Sequence, residues 1–191
     1  MRFIDTTTLE INREPSDLDR LALDFTTVLE KHTLYVIVSG YVSILLGRAR
    51  ASEDIDIIIP KIPSPTLKKL VHDLKEKGFY SINEEKGSDI YACLTEGRTV
   101  RFAKQKIMIP NIELKSAKNR IQGLALQKTI TVILPQGTLH ISNLELQIAF
   151  KEKVLRSPKD REDARHIQKV AEGHLDKKLL KHYKEMLRDV H

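Results

Sequence analysis

Two aspartates separated by one residue begin an apolar run, in Asp54-Ile55-Asp56-Ile57-Ile58-Ile59. The run is typical of a buried strand, and because side chains alternate along a strand, Asp54 and Asp56 face the same way. Two neighbouring carboxylates repel each other, and an apolar setting strengthens the repulsion. A hard divalent cation relieves it, since Mg²⁺ favours a few carboxylates together with substrate phosphates and water. The pair therefore predicts a metal site that serves phosphate chemistry.

A tight turn precedes the acidic pair. The segment Tyr35–Val38 predicts a strand, Ser39-Gly40 predicts a turn, and Tyr41–Gly47 predicts a short apolar helix. Glycine lets a phosphate approach the backbone at a helix N-terminus, where exposed N–H groups and the helix dipole favour an anion. We therefore expect Ser39 and Gly40 to contact a phosphate group.

Arg48 and Arg50 lie in the basic loop between the turn and the acidic pair. A guanidinium suits phosphate because its fork of donors matches the phosphate oxygens. These arginines are candidates for binding a triphosphate. Ion pairing with Glu53 or other nearby acids is an equally good explanation of their presence.

The segment Val38-Ser39-Gly40, followed after a gap by Asp54-Ile55-Asp56-Ile57, resembles the motif of the DNA polymerase beta-like nucleotidyltransferase superfamily. It is most similar to small prokaryotic members related to abortive-infection toxins of the AbiEii type. The resemblance implies a mixed sheet flanked by helices. It also implies Mg²⁺- or Mn²⁺-dependent transfer of a nucleoside monophosphate from a nucleoside triphosphate to an acceptor hydroxyl. The acceptor would be RNA such as tRNA, a protein or a small molecule.

Enzymes of this superfamily usually carry a third carboxylate on a later strand beside the acidic pair. The best match is Glu113, a lone acid between apolar residues in Asn111-Ile112-Glu113-Leu114-Lys115, and Asp89 is the second choice. A glutamate on a surface strand is the alternative explanation for Glu113. The resemblance thus implies a metal site of Asp54, Asp56 and Glu113.

A downstream helical segment strengthens the resemblance. Abortive-infection-type enzymes carry a helical lysine that reaches the nucleotide phosphates and a later pair of aspartates that organises it. Lys151, Asp160 and Asp163 match these positions. Acids in a first helical turn also complement the helix dipole, so Asp160 and Asp163 have a structural explanation as well.

The pattern of elements indicates an α+β fold with an α/β-like N-terminal layer. We expect a nucleotidyltransferase-fold catalytic domain over residues 1–141 and a C-terminal helical region over residues 142–191 that packs on it. Ser16 and the apolar spacing after it predict a helix over residues 17–31.

Three further local predictions follow from the middle and the end of the chain. Asp89–Leu94 and Thr99–Ala103 resemble the two strands of a hairpin, and Ile107–Ile109 resembles a further short strand. Ser142 with Glu145 three residues later predicts a capping box at the start of a helix that runs to about residue 156.

Composition limits the cellular compartment and the binding partners that can be expected. The chain has 191 residues, a net charge of +6 and one cysteine, Cys93. One cysteine excludes an internal disulfide framework and fits a reducing cytosol, and no apolar run approaches the length of a membrane span. We therefore expect a cytoplasmic protein without a membrane partner. The basic surplus allows binding to RNA, DNA or nucleotides.

Two other classes of function fit the same sequence. The first is a non-catalytic member of the fold that binds a nucleotide or RNA, for example as one half of a toxin–antitoxin pair with a cognate antitoxin. The second is a protein-interaction module whose C-terminal helices form a homodimer surface.

Overall fold

A computed structural model of the protein describes residues 1–83, 87–105, 107–188 and 190. Within these residues, no helix combines the length and the apolar character needed to cross a membrane.

Nine strands of the described chain form one mixed sheet. The spatial order is β1-β2-β8-β9-β3-β4-β7-β6-β5, and the central pairs are β3–β4, antiparallel, and β4–β7, parallel. The strands are β1 (Arg2–Phe3), β2 (Thr8–Glu10), β3 (Val36–Val38), β4 (Asp54–Ile59), β5 (Phe79–Ser81), β6 (Val100–Lys104), β7 (Asn111–Ser116), β8 (Thr129–Leu134) and β9 (Gly137–Ser142).

Helices cover both faces of this sheet, as expected for a nucleotidyltransferase-like α+β fold. They are α1 (Asp17–Leu29), α2 (Gly40–Leu45), α3 (Ser64–Glu76), α4 (Gly87–Thr95), α5 (Arg120–Gln127), α6 (Leu144–Phe150), α7 (Pro158–Val170) and α8 (Lys177–Met186), and a π-helical segment, Lys151–Leu155, continues α6.

The alternation of side chains along β4 divides the core into two clusters. Ile55, Ile57 and Ile59 point into the larger cluster, which α1, α3 and α4 cover. Ile58 points the other way, into a smaller cluster covered by α5, α6 and α8. Asp54 and Asp56 share the face of Ile58, so the acids lie at the open end of the face that the C-terminal helices cover.

The first helix begins and ends close to its predicted bounds. The Ser16 hydroxyl accepts from the Asp19 N–H, while the Asp19 carboxylate accepts from the Ser16 N–H at 2.7 Å, which forms a capping box. The helix ends at Leu29 with Glu30 as its C-cap, slightly before the predicted residue 31.

The predicted strands Asp89–Leu94 and Ile107–Ile109 are wrong. Residues 89–94 belong to α4, where Ile90, Cys93 and Leu94 are buried. Their i, i+3, i+4 spacing is a helical stripe, which a short apolar run concealed. Residues 107–109 expose their side chains and lie outside the described strands.

The predicted capping box at Ser142 is also wrong. Strand pairing continues to Ser142, opposite Thr129, so the next residue, Asn143, becomes the N-cap and its side chain accepts from the Leu146 N–H. Glu145 instead accepts from the Asp176 N–H at 2.8 Å and so ties the start of α8 to α6.

Candidate active site

Strand register brings three carboxylates to one face of the sheet. β4 and β7 run parallel, with Asp54 opposite Asn111 and Asp56 opposite Glu113. Side chains at paired positions lie on the same face and are direct neighbours. The predicted trio of Asp54, Asp56 and Glu113 therefore lies together on the face shared with the C-terminal helices.

The structure does not place Asp89 in this acidic group. Asp89 is exposed in the first turn of α4, and α4 belongs to the opposite side of the sheet. The structure therefore separates Asp89, the second choice, from Asp54 and Asp56, whereas Glu113 lies beside Asp56.

Two cations already bind this acidic group. The Lys115 ammonium lies 2.6 Å from Asp56 Oδ1 and 3.0 Å from Glu113 Oε2. On the neighbouring strand β6, Arg101 contacts Glu113 Oε1 at 2.8 Å. Burial alone would raise the pKa of Glu113, but Lys115 and Arg101 outweigh it and lower that pKa overall. Glu113 is therefore an ionised carboxylate held between two cations.

Asp54 has a different environment, with little positive charge to balance its own. Burial, followed by the negative charges of Asp56 and Glu113, raises the pKa of Asp54. Its neighbour in register, Asn111, has a buried side-chain oxygen with no hydrogen-bond partner among the described residues. A buried acceptor without a donor is costly, so this end of the site favours a bound positive charge.

The residues fit a hard divalent cation by their chemistry, since carboxylate and amide oxygens are the ligands that Mg²⁺ and Mn²⁺ prefer. As positioned, however, no three Asp, Glu, His or Cys side chains of the described residues are grouped closely enough to hold a metal ion. The Lys115 ammonium lies between two of these carboxylates and takes one oxygen each from Asp56 and Glu113.

A cluster of cations surrounds Asp163, which is completely buried in α7. Arg48 contacts its Oδ1, Arg50 approaches its Oδ2 at 2.6 Å, and Lys151 approaches the same oxygen at 2.8 Å. We call Arg48, Arg50 and Lys151 the cation cluster. The acids that pair with this cluster belong to α7. Glu53, the acid named in the predicted alternative, is not among these partners.

Asp160 and Glu162 complete the surroundings of this cluster. Asp160 lies 3.4 Å from Lys151, and Glu162 binds Arg48. Only 1% of the Lys151 side chain is exposed. Burial lowers the pKa of Lys151, and the charges of Arg50 and Arg48 add to this effect against the opposing charge of Asp160. Lys151 is therefore a buried cation whose charge Asp163 and Asp160 balance.

The predicted Ser39-Gly40 turn brings Arg50 close to the backbone. Ser39 has φ 69° and ψ −137°, unusual for a residue with a side chain. At Gly40, an added Cβ would lie 2.8 Å from Arg50 Nη2, so glycine is what permits this approach. Val38, two residues before Gly40, pairs with Asp56 on the neighbouring strand, so the turn and Arg50 lie next to the acidic group.

A cavity of about 260 Å³ opens beside Asp56 and Lys115, between the sheet and the helices α5 and α6. Ser39, Asp56 and Lys115 line it at the sheet, and Gln122 and Gln147 line it on α5 and α6. The sequence reasoning missed Lys115, Asn111 and this cavity. The period of two along β7 was an available signal, because it places Asn111, Glu113 and Lys115 on one face.

Comparisons with known proteins support the fold. No family model matches the chain, and no curated protein matches it. Among solved structures, the chain is similar to an antigenic nucleotidyltransferase-like protein from Paracoccidioides brasiliensis. The two share 15% sequence identity with a TM-score of 0.51, and the match covers 88% of this chain and 85% of the other. At this identity the likeness establishes a shared nucleotidyltransferase-like fold.

Proposed function

We propose that this protein is a nucleotidyltransferase that moves a nucleoside monophosphate from a nucleoside triphosphate to an acceptor hydroxyl. One observation carries the proposal: carboxylates suited to a metal and cations suited to phosphates adjoin each other on a nucleotidyltransferase-like fold. Asp54, Asp56 and Glu113 would hold Mg²⁺ or Mn²⁺. A bound metal would neutralise phosphate charge and polarise the acceptor hydroxyl.

Each group of residues then has a defined task. The acceptor oxygen attacks the α-phosphorus, the bond from that phosphorus to the bridging oxygen breaks, and pyrophosphate leaves. The acceptor proton passes to a carboxylate of the acidic group. Arg50 and Lys151 would bind the β- and γ-phosphates and the leaving pyrophosphate, and Asp163 would hold both cations in place. Gly40 would keep the backbone clear of Arg50 and the phosphates.

Label transfer tests the proposal. The protein is incubated with each α-labelled nucleoside triphosphate, Mg²⁺ or Mn²⁺, and total RNA, protein or small-molecule extract. We expect label in one acceptor fraction, and a loss of at least 100-fold in Asp56→Asn, because that change removes a carboxylate needed for the metal. The matched control is Glu76→Gln, an exposed carboxyl on α3. No transfer by the wild-type protein to any fraction would contradict the proposal.

One observation favours a second candidate, a nucleotide-binding protein without catalysis. The Lys115 ammonium binds one oxygen of each of two carboxylates, Asp56 and Glu113. A permanently bound lysine would leave the cation cluster free to hold a nucleotide without transferring it. Binding of labelled nucleotide that is the same with Mg²⁺ and with a chelator, together with no transfer, would identify this alternative.

A second surface supports a nucleic acid as the acceptor. A groove of about 250 Å³ lies along α8 and is lined by five cationic side chains and by Leu180 and Glu185. We call these cationic residues the basic groove: Lys153, Lys177, Lys181, Lys184 and Arg188.

The groove has the chemistry of a phosphate-backbone site. Lys177, Lys181, Lys184 and Arg188 follow one another at helical spacing, so they form one stripe. Lys184 is neutralised by Glu152 at 2.7 Å, and the stripe as a whole remains strongly positive. No aromatic side chain of the described residues lines the groove, so base stacking is not provided and phosphate contacts dominate. Lys153 belongs to the π-helical segment that also carries Lys151, which connects the groove to the cation cluster.

Salt-dependent binding tests this acceptor class. Binding of an RNA hairpin is measured between 50 and 200 mM salt for the triple variant Lys177→Gln, Lys181→Gln, Arg188→Gln. The matched control is Lys68→Gln, Lys69→Gln, Lys75→Gln on α3, which removes the same charge elsewhere. Loss of three phosphate contacts should lower the slope of log K against log salt by about 2 to 3. An equal change in both triple variants would contradict the assignment and leave only net charge as the cause.

The resemblance of the Lys151 to Asp163 segment to abortive-infection enzymes supports extending the proposal to a toxin of a toxin–antitoxin pair. Induced expression in bacteria should then arrest growth, and Asp56→Asn should relieve the arrest. A cognate antitoxin or a second copy of the chain would be the regulating partner. Normal growth with active protein present would remove the toxin role while leaving the transferase activity intact.

A further inference from the structure

Lys115 has a position that the proposed transfer reaction does not use. It follows Glu113 by two residues on β7, so both side chains lie on the same face. Its ammonium bridges Asp56 on one strand and Glu113 on the next, at 2.6 and 3.0 Å. About 29% of the Lys115 side chain is exposed, so the bridge is largely shielded from water.

The bridge and a metal need the same atoms. Two carboxylates at directly paired strand positions repel each other unless a cation lies between them. The Lys115 ammonium supplies that cation from within the chain, and it therefore competes with any divalent ion for the oxygens of Asp56 and Glu113. Because the lysine is tethered, it is present at a high effective concentration.

The surroundings also provide a route by which Lys115 can leave. Lys115 lines the cavity of about 260 Å³ together with Ser39 and Asp56. Its long, flexible side chain therefore has open space beside it. A triphosphate that extends from Arg50 past Ser39, which lines the cavity, would offer the ammonium new anionic partners there.

We propose that Lys115 is an internal counter-ion that keeps the acidic group closed to metal until a nucleoside triphosphate draws it away. Metal and nucleotide then bind cooperatively, because each is disfavoured while the Lys115 bridge is intact. This inference rests on the proposed function for the identity of the nucleotide. Lys115 is then a positioning residue that determines the order in which the nucleotide and the metal bind.

Binding of Mn²⁺, followed by electron paramagnetic resonance, tests the inference without any turnover. Lys115→Gln should bind Mn²⁺ alone roughly tenfold or more tightly than the wild-type protein, since a charge-assisted bond no longer opposes the ion. Adding a non-hydrolysable nucleoside triphosphate should tighten Mn²⁺ binding in the wild-type protein by a similar factor. In Lys115→Gln this nucleotide effect should be much smaller.

Two further variants separate the bridge from general effects. Lys115→Arg keeps a cation at the same place and should bind Mn²⁺ as weakly as the wild-type protein, whereas Lys128→Gln removes an exposed charge elsewhere and should change nothing. Thermal unfolding of every variant verifies that it is folded. Should Lys115→Gln misfold, Lys115→Met provides the same comparison, because it keeps the packing of the stem.

The outcomes distinguish this inference from the proposed function. Unchanged Mn²⁺ affinity in folded Lys115→Gln or Lys115→Met overturns the role of Lys115, even where label transfer proceeds. Tighter Mn²⁺ binding in these variants supports it, even where no acceptor is labelled and the transferase proposal fails. Equal Mn²⁺ affinity in Lys115→Gln and Lys115→Arg also overturns it, since charge would then have no part.

Discussion

Replacing Gly40 by alanine tests how the turn positions Arg50. A Cβ at this position would lie 2.8 Å from Arg50 Nη2 and 3.1 Å from Cζ and Nη1, whereas ordinary contact begins at 3.4 Å. The guanidinium must therefore retreat by about 0.6 Å. Arg50 is also held by Asp163 at 2.6 Å, so the retreat strains or breaks that ion pair.

The expected effect falls on nucleotide binding and leaves the fold intact. Gly40 begins α2, and alanine is favoured over glycine in a helix by about 1 kcal/mol, which offsets part of the strain at Arg50. A hydrogen bond to a charged group is worth about 1.5–3 kcal/mol, so losing the Arg50 contact should weaken triphosphate binding roughly tenfold or more. Titration calorimetry with a non-hydrolysable triphosphate measures the affinity, and thermal unfolding should shift by only a few degrees.

Gly123 provides a matched control, because it lies in the helix α5 and an added Cβ would meet no atom within 4 Å. Gly123→Ala should therefore leave nucleotide affinity unchanged. A double-mutant cycle with Arg50→Gln sharpens the test, since Gly40→Ala should have little further effect once the guanidinium is gone. An equal loss of affinity from Gly40→Ala with and without Arg50 would refute the reasoning.

Three further predictions concern stability. Asp163→Asn leaves buried Lys151 without its main counter-charge and should lower the free energy of unfolding by about 3–5 kcal/mol, measured in urea. Ser39→Gly relieves the strain of a positive φ, so it should raise the free energy of unfolding by about 1 kcal/mol, also measured in urea. Burial would raise the pKa of Asp19, but bonds from Arg13, Tyr41 and Ser16 outweigh it and lower that pKa. Asp19 therefore stabilises the fold above the unfolded pKa of about 3.9, and this stability should fall as the pH drops below that value, measured by unfolding against pH.

Each of these predictions has its own control. Asp160→Asn removes an acid at 3.4 Å from Lys151 that is not fully buried, and it should cost clearly less than Asp163→Asn. Ser39→Ala retains the positive φ and should give no gain, so equal stabilisation by alanine and glycine would exclude backbone strain as the cause. Asp19→Asn should flatten the acid branch of the stability profile, and an unchanged branch would show that other carboxyls dominate it.

Local sequence patterns predicted much of the secondary structure in the first half of the chain. The helix beginning at Asp17, the turn at Ser39 and Gly40, and the common face of Asp54 and Asp56 all follow from side-chain period and turn chemistry. The strand prediction at Asp89–Leu94 failed because the five-residue apolar run Ile90–Leu94 fits both the strand and the helix period, and packing against the sheet selected the helix.

The sequence by itself determined the acidic pair, its shared direction and the types of cation available, because these depend on neighbours along the chain. The tertiary structure decided which groups meet. Strand register placed Glu113, and not Asp89, beside Asp56, and it placed the Lys115 ammonium between the two carboxylates. Packing of α7 brought Asp163 to Arg48 and Arg50, which precede it by 115 and 113 residues. Contacts of that separation depend on how whole elements pack, and no local period records them.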